Sequence, residues 1–249
     1  MIVTDLDGTL LKSDKTISDY TKSVFQRCQE NGIKIVLATA RPIRTVKDMI
    51  RIEYHAAIYH NGAVIAINDN PHIHIGIEHA MAKRLLLYTA NHFKDMQIAV
   101  EIDDVLYANF DVATVWTNTT AVITDFSDLP DMPVDKIIFI TAQSHIVSEI
   151  DGLLPDELYS VIAENQVLMI MHKKANKLSA IKAVAKHFGL TLSDIVVFGD
   201  DYNDIEMLRE CCIGIAMDNA IDEVKSAADQ ICGTNDHDGV AKWLDKNIL

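Results

Sequence analysis

Thr4-Asp5-Leu6-Asp7-Gly8-Thr9-Leu10 follows the apolar start Met1-Ile2-Val3 and sets two carboxylates two positions apart where a strand would end. Clustered carboxylates repel one another and are costly to desolvate, so a strand closing on two Asp calls for a cation or a reaction. An Asx-type turn at Asp7-Gly8 would account for the segment if it stood alone. It has a counterpart far down the chain. After the apolar run 195–198 comes Gly199-Asp200-Asp201-Tyr202-Asn203-Asp204, with three carboxylates and an amide in five residues. Two acidic strand ends suit an open α/β sheet, whose sites collect beyond the carboxyl ends of its strands.

Around these ends the chain alternates strand and helix signals. Residues 18–31 predict a helix with Thr21, Val24, Phe25 and Cys28 on one face, stopped by Gly32. The continuous apolar run 33–38 is the pattern of a strand covered on both faces. Pro42 opens a helix where its missing N–H does no harm. Asn61-Gly62, flanked by apolar runs at 56–59 and 63–67, is a strong short hairpin signal. After Asp69-Asn70-Pro71 the pattern changes to a helix (78–93) and two strands (98–102, 105–109) joined at Asp103-Asp104. An irregular stretch to Pro133 precedes a strand (136–141), a helix (144–154) and two further strands (159–163, 167–172). That order predicts an α+β module with an antiparallel sheet. From Lys177 the alternation resumes with a helix to 187, a strand at 195–198, a helix at 204–210 and a strand at 213–216. The expected fold is a Rossmann-like parallel-sheet α/β core, residues 1–77 and 174–249, interrupted by an inserted α+β cap, residues 78–173.

Bulk properties narrow the partners. The 249 residues suffice for one large domain or two modest ones. A net charge of −14 with no Lys/Arg cluster argues against nucleic acid and against an anionic membrane. Cys28, Cys211, Cys212 and Cys232 lack C-x-x-C spacing and read as reduced thiols of a cytoplasmic protein. No run has the length of a bilayer span, and the N-terminus lacks the basic-then-apolar pattern of a signal peptide.

Thr39 follows the 33–38 run in Ala38-Thr39-Ala40-Arg41, and Lys177 opens a helix. With the acidic ends they supply the parts of metal-assisted phosphoryl transfer. Mg²⁺ favours oxygen ligands, which carboxylates from different strands provide. A carboxylate beside it can attack phosphorus, and a second can shuttle the proton of the leaving oxygen and then of water. Thr39 can donate a hydrogen bond to the phosphate and Lys177 a positive charge.

Asp5-Leu6-Asp7-Gly8-Thr9, Thr39, Lys177 and Gly199-Asp200-x-x-Asn203-Asp204 resemble, in order, the four motifs of the haloacid dehalogenase-like phosphatases, with the spacing of the Cof-type subfamily. In that subfamily an α+β cap lies between the second and third motifs. The resemblance implies an aspartyl-phosphate on Asp5, which is also a Mg²⁺ ligand. It makes Asp7 the general acid/base and a metal ligand through its carbonyl. Asp200 is implied as a ligand, with Asp204 reaching the metal directly or through water. The phosphate would sit against the Leu6 backbone, Thr39, the Ala40 backbone, Lys177 and Asn203. Ala40 and Asp218 stand where many relatives have Gly; with Asp201, Asp218 adds negative charge near the expected metal.

These residues imply a Mg²⁺-dependent phosphatase of small phosphorylated metabolites, sugar phosphates being common among similar proteins. A phosphomutase uses the same chemistry. A phospho-acceptor resembling a receiver domain is disfavoured by the chain's length and its Asp-x-Asp pair. Arg41 has three open roles: touching substrate, bracing the cap or pairing with an acid. Thr39 can also cap the helix after it. His72-x-His74 places two imidazoles on one side of a strand with no third ligand beside them, which favours an ordinary exposed strand. Leu85-Leu86-Leu87, Met169-Ile170-Met171, Tyr107 and Trp116 are expected to be core, the two aromatics being alternatively placed to line a substrate pocket.

Overall fold

The computed structural model describes residues 1–68, 70–117, 119–141, 143–163 and 167–249, with the side chains at 48, 71, 72 and 163 outside that description. In chain order the first elements are β1 (Ile2–Thr4), α1 (Asp19–Glu30), β2 (Ile35–Ala38), α2 (Ile43–Met49), β3 (Ala56–Tyr59), β4 (Val64–Ile67) and β5 (Asn70–His74). Then come α3 (His79–His92), β6 (Ile98–Ile102), β7 (Val105–Ala108), β8 (Val122–Ile123), β9 (Lys136–Ile140), α4 (Ser144–Asp151), β10 (Leu158–Ala163) and β11 (Val167–His172). The chain ends with α5 (Lys177–His187), β12 (Val196–Gly199), α6 (Ile205–Glu210), β13 (Ile213–Ala216), α7 (Asp222–Ala227), β14 (Gln230–Ile231) and α8 (Gly239–Asn247).

Two compact units result, one formed by Met1–Ile73 with Asn176–Leu249 and the other by His74–Ala175. The first carries an eight-stranded sheet in the order β14-β13-β12-β1-β2-β3-β4-β5. Its pairs from β14 to β3 are parallel, and β3–β4 is the antiparallel hairpin signalled by Asn61-Gly62. β1, β2 and β3 are buried along their whole lengths, as continuous apolar runs require when both faces are covered. On α1 the buried residues are Thr21, Val24, Phe25 and Cys28, and Ser18 caps the helix by accepting from Thr21 N. Phe25 is fully packed, so cutting it to Ala would cost about 3–5 kcal/mol. Pro42 sits at the N-cap of α2, one position before the first helical turn.

The unit His74–Ala175 carries a six-stranded sheet, β10-β11-β9-β6-β7-β8. It is antiparallel except at β7–β8, which pair in parallel. That departs from the wholly antiparallel expectation because β8 lies within the irregular stretch after β7. Asp103 and Asp104 both adopt positive φ at the β6–β7 turn, a conformation Asp tolerates. One core gathers Leu85, Leu86, Ile98, Val100, Phe126, Ile137 and Phe139, with Leu87 and Tyr107 packed against it. A smaller cluster around Leu106, Val112 and Ile138 takes Trp116 and Met169 at its margin. Both aromatics pack against these clusters while staying partly exposed.

Candidate active site

Four loops of the eight-stranded sheet begin at the carboxyl ends of adjacent parallel strands: Asp5 after β1, Thr39 after β2, His60 after β3 and Asp200 after β12. Asp5 N donates to Phe198 O (3.0 Å) and Thr39 N to Ile58 O (2.8 Å), so each loop is tied to the neighbouring strand's end. Close backbone approaches bring the side chains together. Gly8 has φ +78°, and a Cβ there would stand 2.2 Å from Asp200 Oδ2. Gly199 lets Asp204 fold back, since a Cβ there would lie 2.5 Å from Asp204 Cβ.

The centre is a buried ionic cluster. Lys177, at the first position of α5, donates from Nζ to Asp5 Oδ1 (2.6 Å) and to Asp204 Oδ1 (2.7 Å). Asp204 Oδ2 accepts from the backbone N–H groups of Asp200 (3.0 Å) and Asp201 (3.2 Å). Thr9 Oγ1 donates to Asp200 Oδ1 (2.6 Å). Burial pushes the Asp5 carboxyl well above the usual carboxylate range; the Lys177 charge opposes this, while Asp204 and Asp200 add to it. Asp200 is pushed up to about 6, by burial first, with Thr9's bond opposing and the Asp204 charge adding. Burial depresses Lys177, but its two carboxylate partners outweigh that and raise it. Asp5, Asp200 and Asp204 each offer an oxygen within 4.8 Å of the others. One ammonium cannot neutralise three carboxylates. This hard, all-oxygen donor set fits a small divalent cation such as Mg²⁺.

Asp7 stands in a different environment. Arg41 donates to it from Nε (2.5 Å to Oδ2) and from an Nη (2.7 Å to Oδ1), and Lys15 Nζ donates to Oδ1 (2.7 Å). Burial pushes Asp7 up, but these bonds and charges outweigh it and hold the carboxyl below its ordinary value. Of the three roles open for Arg41, the structure displays a pairing with an acid, and the acid is Asp7.

The expected phosphate ligands fall around the same strand ends. Thr39 Oγ1 accepts from Arg41 N (3.1 Å), so its hydroxyl closes a turn just before α2 rather than capping the helix. Ala40 lies half-buried between them, and Leu6 is fully buried. Asn203 donates from Nδ2 to Asn61 Oδ1 (2.8 Å). Asp201 caps the turn through Tyr202 N (2.8 Å), and Asp218 lies 4.0 Å from Lys225. Of the two expected histidines, His74 Nε2 sits 2.6 Å from Asp135 Oδ1, and the His72 side chain lies outside the described residues. Thr9, Lys15 and Asn61 were not anticipated as site residues. Thr9 lies inside the opening motif and Asn61 at a strand end, whereas Lys15 carried no signal.

A carboxylate cluster that could hold a cation, with a buried lysine, thus lies at the carboxyl edge of the parallel sheet, where α/β enzymes place their sites. The family model of haloacid dehalogenase-like hydrolases matches residues 2–244, and the chain belongs to that family of enzymes. Over 259 residues it is 31% identical to a 5-amino-6-(5-phospho-D-ribitylamino)uracil phosphatase of Bacillus subtilis, covering 98% of this chain and 96% of that one. A haloacid dehalogenase-like hydrolase from Bacteroides thetaiotaomicron superposes with a TM-score of 0.85 at 28% identity, covering 98% of both chains. A Thermotoga maritima structure gives 0.86 at 26% identity, covering 100% of this chain and 97% of that one. Among the described residues no helix is long and apolar enough to cross a membrane.

Proposed function

We propose that this chain is a Mg²⁺-dependent phosphatase of small phosphorylated metabolites, sugar phosphates foremost, working through an aspartyl-phosphate on Asp5. The observation that carries the reading is the buried Asp5–Lys177–Asp204 triad, with an Asp200 oxygen within 4.8 Å of an oxygen of each of the two carboxylates. Asp5, Asp200 and the Asp7 carbonyl, with Asp204 directly or through water, would hold the cation, which would supply positive charge against the phosphoryl oxygens. Lys177 steers Asp5, and its charge faces the incoming phosphate. Thr39, Asn203 and the Leu6 and Ala40 backbones orient the phosphate for in-line attack.

An Asp5 carboxylate oxygen bonds to phosphorus as the phosphorus–oxygen bond to the leaving group breaks. Asp7, once it has taken up a proton from solvent, gives that proton to the leaving oxygen. Asp7 then takes a proton from water as the water oxygen attacks phosphorus, and the Asp5–phosphorus bond breaks to release phosphate. Arg41 and Lys15 hold Asp7 ionised at rest, which suits the second half; they must loosen before Asp7 carries a proton. The inserted unit His74–Ala175 acts as the cap that selects the leaving group. The B. subtilis relative's substrate, a phosphorylated ribityl compound by its name, supports this substrate class.

The test is phosphate release from a panel of sugar phosphates, nucleotides and phosphorylated ribityl compounds, with Mg²⁺ or with EDTA. Turnover that needs Mg²⁺ and vanishes in Asp5→Asn is expected. No Mg²⁺-dependent turnover on any of them, or turnover surviving Asp5→Asn, overturns the reading.

A further inference from the structure

The β3–β4 connection is more strained than a hairpin needs. His60, Asn61 and Gly62 have φ of 49°, 56° and 113° in succession, and all three are buried. Left-handed backbone at two consecutive non-glycine residues costs free energy and persists only where the surroundings hold it. Here the surroundings are the loops at the other strand ends. Asn61 N donates to Thr39 O (2.9 Å), and His60 N to Arg41 O (3.1 Å). Gly62 lies against the main chain of Asn176, where a Cβ would come within 2.5 Å of the carbonyl oxygen. Asn176 caps α5 by accepting from Ser179 N, and the next residue is Lys177. The Asn61 side chain accepts from Asn203 Nδ2 (2.8 Å). One tripeptide therefore touches the loops of Thr39 and Asn203 and the start of the Lys177 helix.

We propose that Asn61 is a positioning residue for phosphate binding: its side-chain oxygen fixes the carboxamide of Asn203 so that an N–H rather than the oxygen is offered to the phosphate. A carboxamide has two N–H donors and one acceptor on opposite edges, and only the donor edge suits an anion. The bond to Asn61 engages one N–H and sets the plane, leaving the second for a phosphate oxygen. Without it the amide flips, and its oxygen faces the phosphate for part of the time. Asn also suits the strained site, being among the residues that visit the left-handed region most readily. This inference rests on the reading of Asn203 as a phosphate ligand.

The experiment measures kcat, KM and the inhibition constant of inorganic phosphate for Asn61→Gly, Asn203→Ala and the double variant. Glycine takes the left-handed conformation without strain, so Asn61→Gly removes the side chain and little else. Asn61→Ala makes the same cut at an added cost in backbone strain, and thermal melts identify which of the two variants are folded chains. Expected is a roughly three- to tenfold rise in KM and in the phosphate inhibition constant for Asn61→Gly, with kcat changed less than about twofold. The double variant is expected to match Asn203→Ala, because a residue acting only through Asn203 adds nothing once Asn203 is gone. If the single effects multiply, or Asn61→Gly leaves KM unchanged while Asn203→Ala raises it, the positioning role is overturned. If Asn203→Ala itself leaves KM unchanged, the phosphate-ligand reading fails and this inference with it.

Discussion

Replacing Lys177 by Met leaves an unbranched side chain one atom shorter and removes the ammonium bonded to the buried carboxylates of Asp5 and Asp204. Its Nζ makes two charge-assisted bonds, of 2.6 and 2.7 Å, and the residue is 2% exposed, so solvent does not screen the loss. Each such bond contributes about 1.5–3 kcal/mol. Breaking a buried ion pair by removing one partner costs about 3–5 kcal/mol, since the other charge is left uncompensated. The metal-free variant should therefore lose about 3–5 kcal/mol, a large part of a typical stability of about 5–15 kcal/mol. Mg²⁺ should restore part of it, because a bound cation takes over the neutralisation; at a hundred times Kd the gain is about 2.7 kcal/mol. The assay is urea unfolding with EDTA or Mg²⁺, followed by Trp243, which packs edge-on against Phe198 of β12, in a Trp116→Phe background. A loss under about 1 kcal/mol with EDTA, or a Mg²⁺ gain smaller than the wild type's, refutes the argument.

Three further outcomes follow from the same geometry. Gly8→Ala must move Asp200, whose Oδ2 lies 2.2 Å from the added Cβ, and puts alanine at φ +78°. We expect a lower Tm and a Mg²⁺ requirement raised roughly tenfold or more, read from Mg²⁺ titration of activity. Arg41→Ala, which removes two bonds to Asp7, should lower kcat about ten- to a hundredfold with a smaller change in KM; a raised KM with kcat unchanged would point to uniform substrate binding instead. The third concerns His74, whose pKa is raised above its ordinary 6.5 by the bond to Asp135, against burial, with the charges of Asp135 and Asp103 adding. Asp135, flanked by Glu101 and Lys136, is itself raised, by burial first. A raised folded pKa gives stability that is full below the unfolded value and lost as pH rises through the folded one. Unfolding of the unit His74–Ala175 should therefore become easier from about pH 6.5 upward, and His74→Gln should flatten that slope in melts run across pH.

What was legible in the chain was whatever depends on local order. Apolar runs bounded by Gly and Asp marked the strands, and Asn61-Gly62 marked its hairpin. The two acidic strand ends announced the carboxylate cluster, because few other arrangements place Asp5 and Asp200 at the ends of paired strands. What stayed hidden depends on which side chains meet across loops. Arg41 finds Asp7 only because the turns after β1 and β2 lie side by side, and no spacing rule encodes that meeting. Asn61 read as a turn residue for good reason: the same tolerance of positive φ serves a hairpin and a strained cradle alike. β8 was missed because two exposed residues, Val122 and Ile123, carry no alternation to recognise.

The pairing of Ile2 with Val196 places the first strand of the chain at the middle of its sheet, with one neighbour nearby in sequence and the other almost at the far end. For biosynthesis this imposes a schedule. β1 and β2 leave the ribosome close together, but the remaining edge of β1 stays without its β12 partner until Val196–Gly199 has been made. Meanwhile the stretch His74–Ala175, with a core of its own, emerges whole between the two halves. Asp5 has no ammonium to face until Lys177 is added, and no fellow carboxylates until Asp200 and Asp204 follow. A nascent or truncated chain halted before that point carries Asp5 without the lysine and the two later carboxylates that surround it.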